Sequence, residues 1–333
     1  MLEQIKKITI LGDGGWGTTL AVHLARRNQI VKLWGAFPGY IKTLNKTREN
    51  RKFLPGIKIP KNIIILDNLA TAVGEAEIII LAVPSQYARN VIHRLKEFDF
   101  SKKIILSVIK GIEIKTLKRI SEIIRQELGP VKFAVLSGPT IASEVAKGIP
   151  TTAVVASVDL RIARALQDII NSDAFRIYTN NDIVGVELGG SLKNVIAIAC
   201  GVCDGLGYGT NAKAAILSRG LAEMARLATA MGAKSKTLFG LSGLGDLATT
   251  CFSPQSRNRS VGEELGRGET IRAITASTSM VAEGITTAKA VLALSRRYKV
   301  SMPISEEVYN IIYKNKKPIK AVSDLMRRKT KPE

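Results

Sequence analysis

Three groups of residues in this 333-residue chain have the types and spacing that chemistry needs. Gly12, Gly14 and Gly17 form a G-x-G-x-x-G pattern between the apolar run Ile8-Thr9-Ile10-Leu11 and the helix-like segment Thr18 to Ala25. In a strand–turn–helix setting one glycine makes the turn, one lets the backbone approach a pyrophosphate, and one lets the helix pack close to the strand. The pyrophosphate would rest on free amides at the positive end of the helix. Alone, the pattern is as readily a plain glycine turn. Lys193 lies in the apolar stretch Ile183 to Cys203, where Glu187 is the other formal charge. At helical spacing it shares a face with the small residues Gly189, Ala197 and Cys200. Lysine is almost never fully buried without a partner, which favours a site lysine over one whose head snorkels to water. Ser256, Arg257 and Asn258 place a hydroxyl, a guanidinium and an amide in a row after Pro254. These groups suit phosphate or polyol oxygens, which Arg257 can grip bidentately, although a solvated turn would be the preferred reading of that segment alone.

The glycine loop needs a sheet to hold it. Apolar runs at Ile30 to Trp34, Ile63 to Leu66, Ile78 to Val83, Ile104 to Val108, Phe133 to Leu136 and Thr152 to Ala156 predict further strands. Helical segments are expected around 41–50, 86–97, 114–128 and 160–171. Uninterrupted apolar strands alternating with helices predict an α/β fold, an open, mostly parallel Rossmann-type sheet covered on both faces. Ligands of such sheets bind beyond the carboxyl ends of the strands. That singles out Pro84-Ser85, Lys110-Gly111 and Gly138-Pro139-Thr140, which follow the apolar runs. The end of the second strand, where an acid favours NAD and an arginine NADP, carries Gly35 and Ala36 and leaves that choice open. From about residue 182 the chain turns to helix-length segments, with a second helix expected from Asn211 to Met231 and a glycine-punctuated turn ending at Asp246. The expected division is residues 1–181, a dinucleotide-binding domain, and 182–333, an all-α substrate-binding and catalytic domain.

The net charge of +21 makes anionic partners a question. Aromatic residues are 5% of the chain and the basic residues are scattered, which argues against nucleic acid and for solvated lysines around sites for phosphorylated ligands. Three cysteines suggest a reducing compartment, with Cys200 and Cys203 as core thiols, and two separated histidines, His23 and His93, suggest no metal cluster. The beginning of the chain has no signal-peptide pattern, and no apolar run approaches the roughly 18 residues of a membrane span. A cytoplasmic protein without stable membrane insertion is expected.

Further stretches complete a pattern: Gly14-Gly15-Trp16-Gly17-Thr18, Leu54-Pro55-Gly56, Lys110-Gly111-Ile112-Glu113, Ser137-Gly138-Pro139-Thr140-Ile141-Ala142, Leu192-Lys193-Asn194, Asn211-Ala212-Lys213, Gly243-Leu244-Gly245-Asp246-Leu247, Thr250-Cys251, Ser256-Arg257-Asn258 and Val281-Ala282-Glu283-Gly284. In this order the chain resembles, over nearly its whole length, the soluble, bacterial-type NAD(P)-dependent glycerol-3-phosphate dehydrogenases. The resemblance implies reversible reduction of dihydroxyacetone phosphate to sn-glycerol 3-phosphate for phospholipid synthesis, with NAD or NADP, in a homodimer. It puts the catalytic lysine on Lys193 and substrate contacts on Lys110, Gly138, Thr140, Lys193, Asp246, Ser256, Arg257 and Asn258. Cofactor contacts fall on Gly12, Gly14, Gly15, Trp16, Gly17, Lys110, Ala142, Arg257, Val281 and Glu283. Gly15 and Thr140 depart from the serine that members commonly carry there. Two rival readings remain: a related two-domain dehydrogenase for another hydroxy acid or phosphosugar, and a dinucleotide-sensing or nucleic-acid-binding protein without catalysis.

Overall fold

Strands that are apolar on both faces need helices above and below them, and the chain supplies both. In the computed structural model, which describes residues 6–277, 281–330 and 332, eight strands form one sheet. They are β1 (Lys7–Leu11), β2 (Ile30–Trp34), β3 (Ile64–Leu66), β4 (Ile78–Leu81), β5 (Ile104–Ser107), β6 (Lys132–Ser137), β7 (Thr151–Ala156) and β8 (Phe175–Asn180). Their spatial order is β3-β2-β1-β4-β5-β6-β7-β8, with every neighbouring pair parallel except β6 and β7. One apolar cluster on a face of the sheet contains Ile8, Ile10, Leu33, Ile80 and Leu136, and another on the opposite face contains Leu11, Trp34, Ile79, Leu81 and Ile105.

Strand β8 and the start of the helix expected from residue 114 differ from the sequence expectation, as do the short Leu69–Val73 and Ala142–Ala146 helices, which the apolar pattern does not announce. Strand β8 was not foreseen, because it is an edge strand in which Phe175 and Ile177 are buried while Arg176 and Tyr178 are exposed. Its alternation is weaker than the continuous apolar runs of the sheet centre. The helix expected from residue 114 is the Ile120–Leu128 helix. Leu117 takes a left-handed φ of 60°, a conformation that cannot continue a right-handed helix, so the helix starts beyond it.

After β8 the chain enters the Ile183–Gly205 helix, which is buried along nearly all its length and forms the axis of an all-α part. This helix corrects the expectation that nothing reaches membrane-span length. It has 23 residues, and an 18-residue window within it, at a mean hydropathy of 1.5, satisfies the length and composition of a span. Yet 89% of its apolar window is buried inside the protein, as for a core helix. Around it lie the Thr210–Ala230, Asp246–Phe252, Arg257–Gly266, Glu283–Arg297 and Pro303–Lys314 helices. The Arg257–Gly266 helix crosses the axis backbone to backbone: a Cβ on Gly201 would collide with the Arg259 carbonyl, and one on Gly262 with that of Ile198. This crossing brings Asn258 against Asn194.

Two buried carboxylates fasten the helical part to the sheet part. Glu187 accepts hydrogen bonds from the Arg119 guanidinium (2.6 Å), the Ser121 amide (2.8 Å) and the Ser121 hydroxyl (2.6 Å). Glu283 accepts from the Ser85 amide (2.8 Å) and hydroxyl (2.5 Å). Burial raises both carboxyls above the usual range, an effect these donors oppose. Gly111 serves this second junction, since a Cβ there would lie 2.5 Å from the Ser85 hydroxyl and 2.9 Å from Glu283.

Candidate active site

The glycine loop follows β1 and leads into the Gly15–Arg26 helix, at the carboxyl edge of the sheet. Gly12, at a φ of 128°, faces the Ala82 carbonyl so closely that only glycine fits, and a Cβ on Gly17 would meet the Gly12 carbonyl. At Gly14 a Cβ would find nothing within 4 Å, so the backbone there is open to a ligand. The helix has no side-chain cap at its start and no acidic residue in its first turn, which leaves its amides available to a phosphate. Trp16 presents a buried indole N–H without a hydrogen-bond partner. These groups fit a dinucleotide pyrophosphate. Gly15 is explained by its neighbour: a Cβ would lie 2.6 Å from the Phe53 carbonyl oxygen, so serine requires that segment to shift. His23, further along the helix, is structural; its Nε2 bonds to the Ile170 carbonyl at 2.6 Å.

A second cluster forms where β5 and β6 end against the long helix. Lys193, which is 5% exposed, directs its ammonium at Oδ1 of Asp246 and at the Thr250 hydroxyl, 2.6 Å away. Asp246 opens the Asp246–Phe252 helix after the π-helical turn Leu241–Gly245 and is 1% exposed. Its other oxygen accepts from Lys110 at 2.8 Å. Lys110 also donates to the Gly138 carbonyl (2.9 Å) and the Thr140 hydroxyl (3.1 Å). Glycines permit this convergence: a Cβ on Gly189 would strike the Ser242 carbonyl, and one on Gly190 would lie 2.5 Å from the Ser137 hydroxyl. The small face beside Lys193 is therefore partly filled by protein, Gly189 by the turn that carries Asp246 and Cys200 by the neighbouring Cys251.

Burial is the largest influence on Lys193 and pulls its ammonium down to about 8, Asp246 opposing and Lys110 adding to the fall. One lysine thus sits near neutrality on an anion shared with a second lysine. A further chain of bonds extends from the same place: Asn194 donates to the Lys110 carbonyl (3.3 Å) and accepts from Asn258 (2.9 Å), which accepts from the Gly284 amide (2.9 Å).

Lys110, Gly138, Thr140, Lys193, Asp246 and Asn258 are thereby brought into one network. Ser256 and Arg257 do not hydrogen-bond to it. The Ser256 hydroxyl caps its helix by accepting from the Arg259 amide (3.2 Å), and Arg257 is exposed, with Glu283 as its electrostatic neighbour. Their turn is nevertheless tied to the sheet part, because Ser143 beside Ala142 donates to Gln255 at 2.5 Å. Ala142 begins the Ala142–Ala146 helix and accepts from Thr19 in the glycine-loop helix at 3.0 Å. Val281 is 42% exposed, two residues before the anchored Glu283. The partner role of Thr250 was not read from the sequence; it stands four residues after Asp246, on the same helical face.

Residues 7–163 match the family model described as the NAD-dependent glycerol-3-phosphate dehydrogenase N-terminus, and residues 182–323 match the corresponding C-terminus. The chain belongs to the NAD-dependent glycerol-3-phosphate dehydrogenase family. It is 48% identical over 330 residues to the NAD(P)+ glycerol-3-phosphate dehydrogenase of Chlorobium phaeobacteroides, covering 98% of this chain and 99% of that protein. The glycerol-3-phosphate dehydrogenase structure from Coxiella burnetii aligns with a TM-score of 0.94 at 37% identity, over 97% of this chain and 99% of that one. A yeast glycerol-3-phosphate dehydrogenase structure aligns with a TM-score of 0.82 at 29% identity, over 98% and 100% of the two chains. Membership makes this chain an oxidoreductase that uses NAD or NADP, and the open glycine loop is where its own residues fit that cofactor.

Proposed function

We propose that the chain reversibly reduces dihydroxyacetone phosphate to sn-glycerol 3-phosphate, with Lys193 as general acid and base. The observation that carries this reading is the Lys193 ammonium, buried between Asp246 and Thr250 and held at about 8. The bound nicotinamide supplies the hydride; the protein must orient the carbonyl and manage one proton. In reduction Lys193 gives its proton to the developing alkoxide, and in oxidation the neutral amine takes the hydroxyl proton. Asp246 keeps the two ammonium groups at fixed positions, and Lys110, held also by Gly138 and Thr140, adds positive charge where the alkoxide develops. Among the described residues Arg257 forms no ion pair at hydrogen-bond distance, and Asn258 lies beside the network, a placement that supports phosphate binding by the Ser256-Arg257-Asn258 turn.

In this reading residues 1–181 hold the dinucleotide through Gly12, Gly14, Gly15, Trp16, Gly17 and Ala142, and residues 182–333 bring substrate and proton donor to it. The product would serve phospholipid synthesis, in the cytoplasm and from a homodimer, as the resemblance implies. The pH dependence tests the role of Lys193. Reduction needs the protonated lysine, so its rate constant is expected to fall as pH rises through about 8, whereas oxidation should rise through the same range. Parallel profiles in the two directions would refute the assignment.

A further inference from the structure

Asp13, between Gly12 and Gly14, has no task in the function proposed above. Its side chain reaches from the loop after β1 to the end of β2, where a Cβ on Gly35 would lie 2.5 Å from Oδ2 and 2.6 Å from Cγ. A side chain at position 35 would therefore displace the carboxylate. Oδ2 is buried and has no hydrogen-bond partner. The polar groups around it are engaged elsewhere: Asn50 donates to the main-chain carbonyl of Asp13 (2.8 Å) and to Thr18 (2.7 Å), and Tyr40 donates to Asn50 (2.6 Å). Desolvation raises the carboxyl above the usual range, opposed by a hydrogen bond from its own main-chain amide and, more weakly, by the charge of Lys52. A buried acceptor without a donor is costly; Oδ2 is closed off against Gly35, so the bond is gained when the carboxylate turns to meet a ligand hydroxyl, with no competing donor to displace.

The end of β2 is where a doubly wound sheet meets the adenosine ribose of a dinucleotide. Here β2 ends in Trp34, followed by Gly35 and Ala36, and offers no acid of its own. We propose that Asp13 supplies, from the loop after β1, the carboxylate that β2 lacks, accepting a hydrogen bond from the ribose 2′-hydroxyl and repelling a 2′-phosphate, so that the unphosphorylated dinucleotide is the preferred cofactor. Glycine at position 35 is the complementary half of this device, since it leaves the space the carboxylate occupies. The inference rests on the reading of the glycine loop as the dinucleotide site. It selects by attraction for one ligand and like-charge repulsion of the other, and each effect acts on the ratio of affinities.

Equilibrium binding of NADH and of NADPH to the full chain, followed by nucleotide fluorescence or calorimetry, tests this for wild type, Asp13→Asn and Asp13→Ala. Thermal unfolding of each variant shows that it is folded. Wild type is expected to bind NADH about tenfold more tightly than NADPH or better, the scale of one hydrogen bond to a charged group. Both substitutions should weaken NADH, leave or strengthen NADPH, and bring the two affinities within a few-fold. Equal or tighter NADPH binding by wild type, or an unchanged ratio in both variants, overturns the inference. Failure of folded wild type to bind either nucleotide overturns the cofactor-site reading itself, and the inference with it.

Discussion

Lys193→Met is expected to lower turnover by about 100- to 10,000-fold, the range a positioned general acid supplies, while dinucleotide affinity stays within a few-fold of wild type. Methionine keeps a comparable unbranched stem within the buried helix and removes the ammonium. Asp246 is not stranded by this change, because Lys110 still donates to it at 2.8 Å. The fold should therefore survive, and the loss can be read as chemistry. Steady-state rates with nucleotide binding measured alongside give the answer. Near-normal turnover would remove Lys193 from the reaction, and joint loss of turnover and nucleotide binding would point to a structural role.

Asp246→Asn should affect both stability and the pH profile. In wild type the carboxylate accepts from Lys193 and Lys110, and its charge opposes the burial that lowers Lys193. Without that charge two ammonium groups face one another across a neutral amide. Removing one partner of a buried ion pair costs about 3 kcal/mol or more, which denaturant unfolding near neutral pH would register. Lys193 can shed its proton to limit the cost, so its titration should move below about 8. The fall of the reduction rate would then begin at lower pH, and the oxidation rate would reach its plateau earlier. An unmoved midpoint would show that Asp246 does not set the charge of Lys193.

What could be read from the sequence was whatever one segment's own physics determines. The apolar runs of β1 and β4 announce a sheet covered on both faces, and the glycine loop lies directly after one of them. Lys193 was conspicuous because a charge inside an apolar helix needs a partner. The partner relation itself was less visible, since Asp246 is 53 residues from Lys193 along the chain. Helical spacing alone links Thr250 to Asp246, four residues apart on one face. The junction of Glu283 with Ser85 spans 198 residues and leaves no local trace. Edge strand β8 and the late start of the helix at Ile120 depended on one-sided burial and on a single left-handed residue, Leu117. Asp13 reads as an ordinary loop residue until its approach to Gly35 is seen.

The most direct test is to follow oxidation of NADH and of NADPH by the purified, folded chain with dihydroxyacetone phosphate, with the reverse reaction on sn-glycerol 3-phosphate alongside. Turnover with dihydroxyacetone phosphate, lost in Lys193→Met, is the expected result. Absence of oxidation with both nucleotides, or equal rates with carbonyl compounds that lack the phosphate, would contradict it.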